Sequence, residues 1–376
     1  MLKGKINLTL MIGPAVPIPV PREVMEALTE ITVTSSASDQ SGFELKFTLS
    51  HQSPLHTIFL LAGGATPPLI RVLIIVTING TPEVLMDGLM TDHQVTPGSQ
   101  PGESTLTVRG KDLSVAMSYI DFSGLPYPAM PAEAQVALIL AKYLAFGIIP
   151  VIIPSPLVDV PIPIQRIPRH QGKDLDHIKM LADEVGYTFY VNPGPVPGTS
   201  TAYWGPEIKV GVPQPALNTN MDVHTNVESL SFNYKSDQAK LPIIFIQNQE
   251  TKVVLPIPIP NVNPLQPLLG AVPPIPKDID MITDTAKYSP VRAVLIGLAK
   301  AAKSADVVEA QGTLDVICYG RTLKSRGLVG VRGAGLAFDG LYFVKSVTHS
   351  IKRGEYKQSF TLTRNGLVSI TPKVVP

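Results

Sequence analysis

Seven histidines, a single cysteine and 30 acidic residues are the groups from which this 376-residue sequence would have to build a catalytic or metal site. His51 and His56 stand five apart, but no third or fourth ligand is spaced to complete a metal set. Asp174, Asp176 and His177 would make an acid–base cluster. The two carboxylates, however, fall in a helix first turn, where the macrodipole favours them without any chemistry. Cys318 would be a nucleophile only with a base beside it. It shares strand parity with Leu314 and Val316, which predicts a buried small apolar residue. His349 falls in mid-strand, a structural position. Glu133 and Glu184 sit on predicted helices with nothing to pair them as hydrolytic carboxylates. There is no His-Glu-x-x-His, no Gly-x-Ser-x-Gly and no P-loop. GVRGAG at 330–335 lies between strands and reads as a glycine-permitted loop or bulge. Asn7 and Asn79 begin Asn-x-Thr triplets, which matter only in a secreted chain. The single Trp204 and a 6% aromatic share offer no stacking platform for bases or sugars. Catalytic residues, cofactor ligands and metal ligands are therefore all expected to be none.

Composition points the same way. Lys and Arg number 31 against 30 Asp and Glu, a balance that argues against an electrostatic binder of nucleic acid or membrane surface. One cysteine excludes an internal disulfide framework. Proline, at 37 residues, is about twice its usual share of roughly 5%. Mean hydropathy is +0.21. The two most apolar windows, 58–78 and 136–153, are broken by glycine, proline and charged residues. They are expected to be buried elements and not membrane spans.

The elements that would position these residues are mostly strands. Residues 22–31 read as a short helix entered through Pro21. In FELKFTLS, Phe43, Leu45, Phe47 and Leu49 alternate with polar residues, the period of a half-buried strand. Asn79-Gly80 between two apolar runs is a hairpin signal. Residues 131–146 switch to helical spacing, 148–168 are proline-rich and extended, and 173–186 form an amphipathic helix with Leu175, Ile178, Leu181, Ala182 and Val185 on its stripe. A strand at 187–191 follows. A second β unit starts near Val227 and is interrupted by proline-rich residues 241–277. A helix at 290–304 follows, with Ser289 as cap and Val291, Leu295, Leu298 and Ala302 inward. TLDVICYG, GLYFVKSVTHSI and EYKQSFTLTRN then read as a β-meander.

That meander carries a resemblance. Residues 328–367 resemble the closing barrel of the late-control-D-like family, the baseplate central hubs of phage tails and contractile injection systems, related to the hub part of type VI secretion spike proteins. The pattern is a strand of the form G-x-Y-x-V-x-x-V-x-H, here Gly340, Tyr342, Val344, Val347 and His349, followed by a strand ending in Arg364-Asn365. Residues 172–191 resemble the family's helix-then-strand segment. Residues 42–118 resemble its first barrel, with a turn at Gly110–Asp112.

The resemblance implies a β-rich α+β chain with two tube-like barrels, 1–125 and 223–376, and a small α/β segment, 126–222, between them. It implies a homotrimer whose six barrels form a pseudo-sixfold ring, a structural adaptor between a hexameric inner tube and a threefold spike. With only Gly366–Pro376 after the meander, the spike is expected on a separate chain. Tube, spike and baseplate wedge proteins are the implied partners, without specific nucleic acid or stable membrane insertion. The implied location is a particle assembled in the cytoplasm and carried as a phage tail or injection device. A tail-associated peptidoglycan hydrolase is the alternative reading, and a membrane-associated protein built on 136–153 is a third.

Overall fold

The alternation of FELKFTLS is realised as an alternation of burial. Phe43, Leu45, Phe47 and Leu49 are buried, and Thr48 between them is exposed. The computed structural model describes residues 6–14, 16–49, 55, 69–98, 104–155, 160, 161, 163, 164, 167–247, 253–260, 267–287 and 290–370. His51, His56 and Ser289 lie outside them, as does the side chain of Val291.

The first part of the chain folds as β1 (Ile6–Pro14), β2 (Ile18–Pro19), α1 (Arg22–Ala27), β3 (Leu28–Ser36), β4 (Gly42–Leu49), β5 (Ile70–Ile78), β6 (Thr81–Thr96) and β7 (Ser104–Asp112). Two expectations change here. The helix begun after Pro21 stops at Ala27, because Ile31 and Val33 alternate as a strand, and a register shift between Leu28 and Glu30 brings Leu28 onto the same buried face of β3. Gly110–Asp112 is the end of β7 and not a turn, and the Asp112 carboxylate caps the following 3-10 turn by accepting from the Ser114 amide at 2.9 Å. The Asn79-Gly80 hairpin forms as expected: both residues have positive φ, 51° and 85°, which glycine reaches without strain.

The middle contains α2 (Ala132–Ala141), β8 (Ile148–Ile152), α3 (Asp174–Glu184), β9 (Thr188–Pro193) and β10 (Ser200–Gly205), with the strands in the order β8-β10-β9. Trp204, fully buried, sits in the core of this unit with Leu140, Ile148, Ile178 and Leu181. The apolar window 136–153 is thus a ten-residue helix, a 3-10 turn and a strand. No helix among the described residues is long and apolar enough to cross a membrane.

The rest comprises β11 (Gln214–Asn218), β12 (Ser229–Tyr234), β13 (Lys240–Gln247), β14 (Val254–Pro258), β15 (Gly270–Val272), β16 (Asp278–Ile282), α4 (Pro290–Ser304), β17 (Val308–Asp315), α5 (Val316–Tyr319), β18 (Leu328–Arg332), β19 (Gly340–Lys352), β20 (Glu355–Arg364) and β21 (Leu367–Ser369). The proline-rich stretch 241–277 contributes paired strands. β13 pairs with β14 on one side and β16 on the other, and Pro256 and Pro258 stand on edge strand β14, where a missing N–H is tolerated. α4 covers this small sheet with Ala293 and Ala301 against Ile244, Ile259 and Ile282, while Leu295 is only partly buried. TLDVICYG is not one strand either: Asp315 accepts from the Ile317 amide at 2.7 Å and turns the chain into α5, which leaves Cys318 exposed. In GVRGAG, Gly330–Arg332 belong to β18, and only the remainder is loop.

The two β units join. The 13-stranded sheet runs β12-β17-β20-β19-β3-β4-β7-β6-β5-β1-β2, with β18 also on β19 and β11 parallel to β18. Antiparallel pairing of β3 with β19, from Glu30 opposite Lys352 to Ser36 opposite Ser346, makes the connection. One apolar cluster, from Leu10 and Val33 to Val347 and Leu362, underlies both units.

Candidate functional site

The strand that carries the family pattern shows why its spacing is uneven. Tyr342 and Val344 are two apart, Val347 follows after three, and then His349 after two. The register of β19 against β20 shifts between Val344 and Ser346. This bulge leaves Lys345 exposed and moves the inward parity by one, so that Tyr342, Val344, Val347 and His349 are all buried. His349 Nδ1 lies 2.7 Å from the Tyr356 hydroxyl, and burial lowers its pKa to about 4. Beside it Gln358 accepts from the Leu323 amide at 2.8 Å and donates to the Leu323 carbonyl at 2.9 Å.

Arg364 and Asn365 form a clamp at the end of β20. The fully buried Arg364 guanidinium donates to the carbonyls of Gly366 (2.8 Å), Asp339 (2.8 Å) and Ala337 (2.5 Å), and lies 4.5 Å from the Tyr342 ring centre. Asn365 accepts from the Leu269 amide at 2.7 Å and donates to the Pro267 carbonyl at 3.1 Å. The pair fixes two loops by saturating their backbone polar groups.

The middle unit gathers more titratable groups than its sequence suggested. Asp174 and His177, on the buried side of α3, come together, whereas Asp176 points outward. Asp174 takes a 2.6 Å bond from the Tyr143 hydroxyl and a 2.6 Å ion pair from Lys142. His170 places Nε2 3.4 Å from Asp174 and Nδ1 2.8 Å from the Tyr127 hydroxyl. The His170 and His177 rings stack at 4.2 Å. Burial lowers both imidazole pKa values, that of His177 to about 4 with His170 adding to the effect. Burial and the Asp174 bond push the Tyr143 phenol well up. His170, Tyr127, Lys142 and Tyr143 were not recognisable as a set, since their spacing in sequence follows no motif. Asp174, His170 and His177 are at most 2% exposed, so the cluster meets no substrate from solvent in this conformation.

The other singled-out residues are not brought together. Glu133 lies in the first turn of α2, and Glu184 is ion-paired to Arg292 of α4. Trp204 is core. The two β units and the middle unit are instead tied by two arginines, Arg71 buried and Arg326 partly buried. Arg71 makes an ion pair with Asp87 at 2.6 Å and donates to the Gly198 carbonyl at 2.9 Å. Arg326 donates to Asn192 and to the Ser36 carbonyl and lies 4.0 Å from the Tyr190 ring centre; burial lowers its pKa to about 10. Among the described residues no group of three or more His, Cys, Asp or Glu is placed to hold a metal ion.

No family model and no curated protein matches this sequence. Solved structures do. A tail protein from Neisseria meningitidis MC58 aligns over 96% of this chain and 98% of its own length, at a TM-score of 0.60 and 12% identity. The 43 kDa tail protein of prophage MuSo2 from Shewanella oneidensis aligns over 96% and 99%, at 0.62 and 13%. The E. coli c3393 protein, a type VI secretion component described as similar to the T4 tail proteins gp27 and gp5, aligns over 93% and 77%, at 0.56 and 12%. The overall fold of this chain is thus similar to that of two tail proteins over nearly their whole length, and to that of a type VI secretion component.

Proposed function

We propose that this chain is the structural hub of a contractile tail or injection particle. In this reading each subunit contributes two tube-like β units, 1–125 and 223–376, flanking the 126–222 segment. Three subunits close a pseudo-sixfold ring, and the ring adapts a hexameric inner tube to a threefold spike without catalysing a reaction. The observation that carries the reading is the fold likeness to two tail proteins over 96% of this chain and 98–99% of theirs. Support comes from β12 and β2, which end the path of the large sheet among the described residues and could offer backbone groups to neighbouring subunits. Low charge, 16% of residues, suits a chain covered on several sides. The hydrolase alternative would need Glu133 and Glu184 free to work on a bond, and Glu184 is neutralised by Arg292.

The test is solution mass by light scattering with negative-stain imaging of the same peak. The expected result is three times the 40.4 kDa chain mass and a ring with a central channel. A species that stays monomeric at all concentrations, and also with tube and spike proteins added, overturns the proposal.

A further inference from the structure

We propose that the stacked His170–His177 pair is an acid-operated latch: with both rings neutral it holds the 168–173 segment on the 121–127 segment, and protonation of the pair releases it. The two segments form an irregular antiparallel pairing. Tyr127 donates its amide to the Pro168 carbonyl at 2.8 Å, His170 to Leu125 at 2.8 Å, Gly124 to His170 at 2.9 Å and Phe122 to Gly172 at 3.1 Å. The imidazoles are the pins beneath it. His170 is fixed by the Tyr127 hydroxyl, and His177 Nδ1 accepts from the Gln171 amide at 3.2 Å while Nε2 lies 3.3 Å from Gln135 Oε1.

The Gln171 contact requires a neutral His177, because a protonated Nδ1 has no lone pair to accept with. The charges facing the pair leave no room for two more cations. From α2 and the turn after it come Lys142 and the Tyr143 phenol; from α3 comes Asp174. The 121–127 segment brings Asp121 and Tyr127, and Lys173 stands at the helix entrance. Asp174 is the one buried carboxylate of the set, and Lys142 already neutralises it. Two imidazolium rings 4.2 Å apart in a desolvated site would repel each other with little screening. The direction of both pKa values agrees: each ring resists its proton while the site is closed. The latch is therefore closed above the free imidazole pKa of about 6.5 and gives way as pH falls from there toward about 4.

The experiment is amide hydrogen exchange of the full chain, read by mass spectrometry at steps from pH 7.5 to 4.5 and corrected for the intrinsic exchange rate. The expected result is a loss of protection for the Phe122, Gly124, Tyr127 and His170 amides about tenfold or more beyond that of the β4–β7 amides, which report the global fold. In His177→Gln, whose side-chain oxygen still accepts a bond but takes no proton, most of that loss should vanish. Protection that is flat with pH in the wild-type chain overturns the latch. So does a loss no greater than that of the β4–β7 amides, or an unchanged pH response in a folded His177→Gln. Should the variant fail to fold, the wild-type comparison of the two regions decides alone.

Discussion

His349 of β19 stands directly opposite Val33 of β3, 316 residues away in sequence, and both side chains are buried in the same core. Two positions along, Ile31 faces Ile351. This short pairing makes one sheet of two β units, so substitutions in it report on the whole chain and not on one half. Ile31, 1% exposed, is the cleanest probe. Ile31→Ala should cost about 2–5 kcal/mol through lost burial and the cavity left behind. Urea unfolding followed by circular dichroism measures it. A loss confined to a minor transition would mean that the units unfold separately.

The imidazole at the junction makes stability depend on pH. His349 has a folded pKa lowered to about 4 by burial, against about 6.5 for the free side chain. Between those values the unfolded chain binds the extra proton, so stability rises with pH. It is fully present above about pH 6.5 and is lost as pH falls toward 4, by about 3 kcal/mol from this residue. Comparing unfolding free energies at pH 7 and pH 5 for wild type and His349→Gln isolates it. Equal pH responses in the two proteins would count against the assignment.

Arg364 should not tolerate its nearest chemical relative. Lysine keeps the charge but not the planar fork that reaches three carbonyls and lies over Tyr342. Each buried carbonyl left unpaired costs on the order of 1–3 kcal/mol. Arg364→Lys is expected to lower the melting temperature by several degrees, measured by calorimetry. An unchanged transition would show that water replaces the guanidinium.

Gly110 and Gly80 should respond differently to the same substitution. A Cβ on Gly110 would lie 2.3 Å from the Phe43 ring and 2.4 Å from the Leu89 carbonyl, whereas one on Gly80 meets nothing within 4 Å. Gly110→Ala forces the ring to move and should cost about 1–3 kcal/mol. Gly80→Ala costs only the strain of a positive φ, about 1 kcal/mol. Side-by-side denaturant midpoints check the order, and a reversal would refute the packing argument.

Cys318 gives the quickest check. Because α5 turns it outward, the folded protein should release one equivalent of thionitrobenzoate per chain with Ellman's reagent. Reaction only after denaturant would restore the buried-strand placement.

What was legible in the sequence was local. The Asn79-Gly80 turn, the stripe of α3 and the alternation of β4 are written in adjacent residues, and each formed as read. The errors arose where two local signals compete. Leu28 to Ile31 continue a helix-compatible run, yet Ile31 and Val33 alternate as a strand, and the sheet prevailed. Asp315 offered a cap inside an apparent strand, and the cap turned Cys318 out. Proline in 241–277 excluded helix but not an edge strand. The pattern on β19 was visible as residue types, whereas the bulge that makes it one face is a property of its pairing with β20. The His170, His177 and Asp174 cluster depends on Tyr127, Lys142 and Tyr143, which only the packing of three segments brings near.

The β3–β19 junction has a consequence for synthesis. β3 leaves the ribosome about 310 residues before its partner residues 346–352. Until β19 is made, one side of β3 is an unpaired ribbon beside a forming hydrophobic core, the kind of edge that recruits other chains. Closing it joins contacts of very high sequence separation, which places the slow step of folding after β19 has been made. A nascent chain stalled before residue 340 should therefore be sticky and chaperone-dependent, and synthesis of β19 should release it.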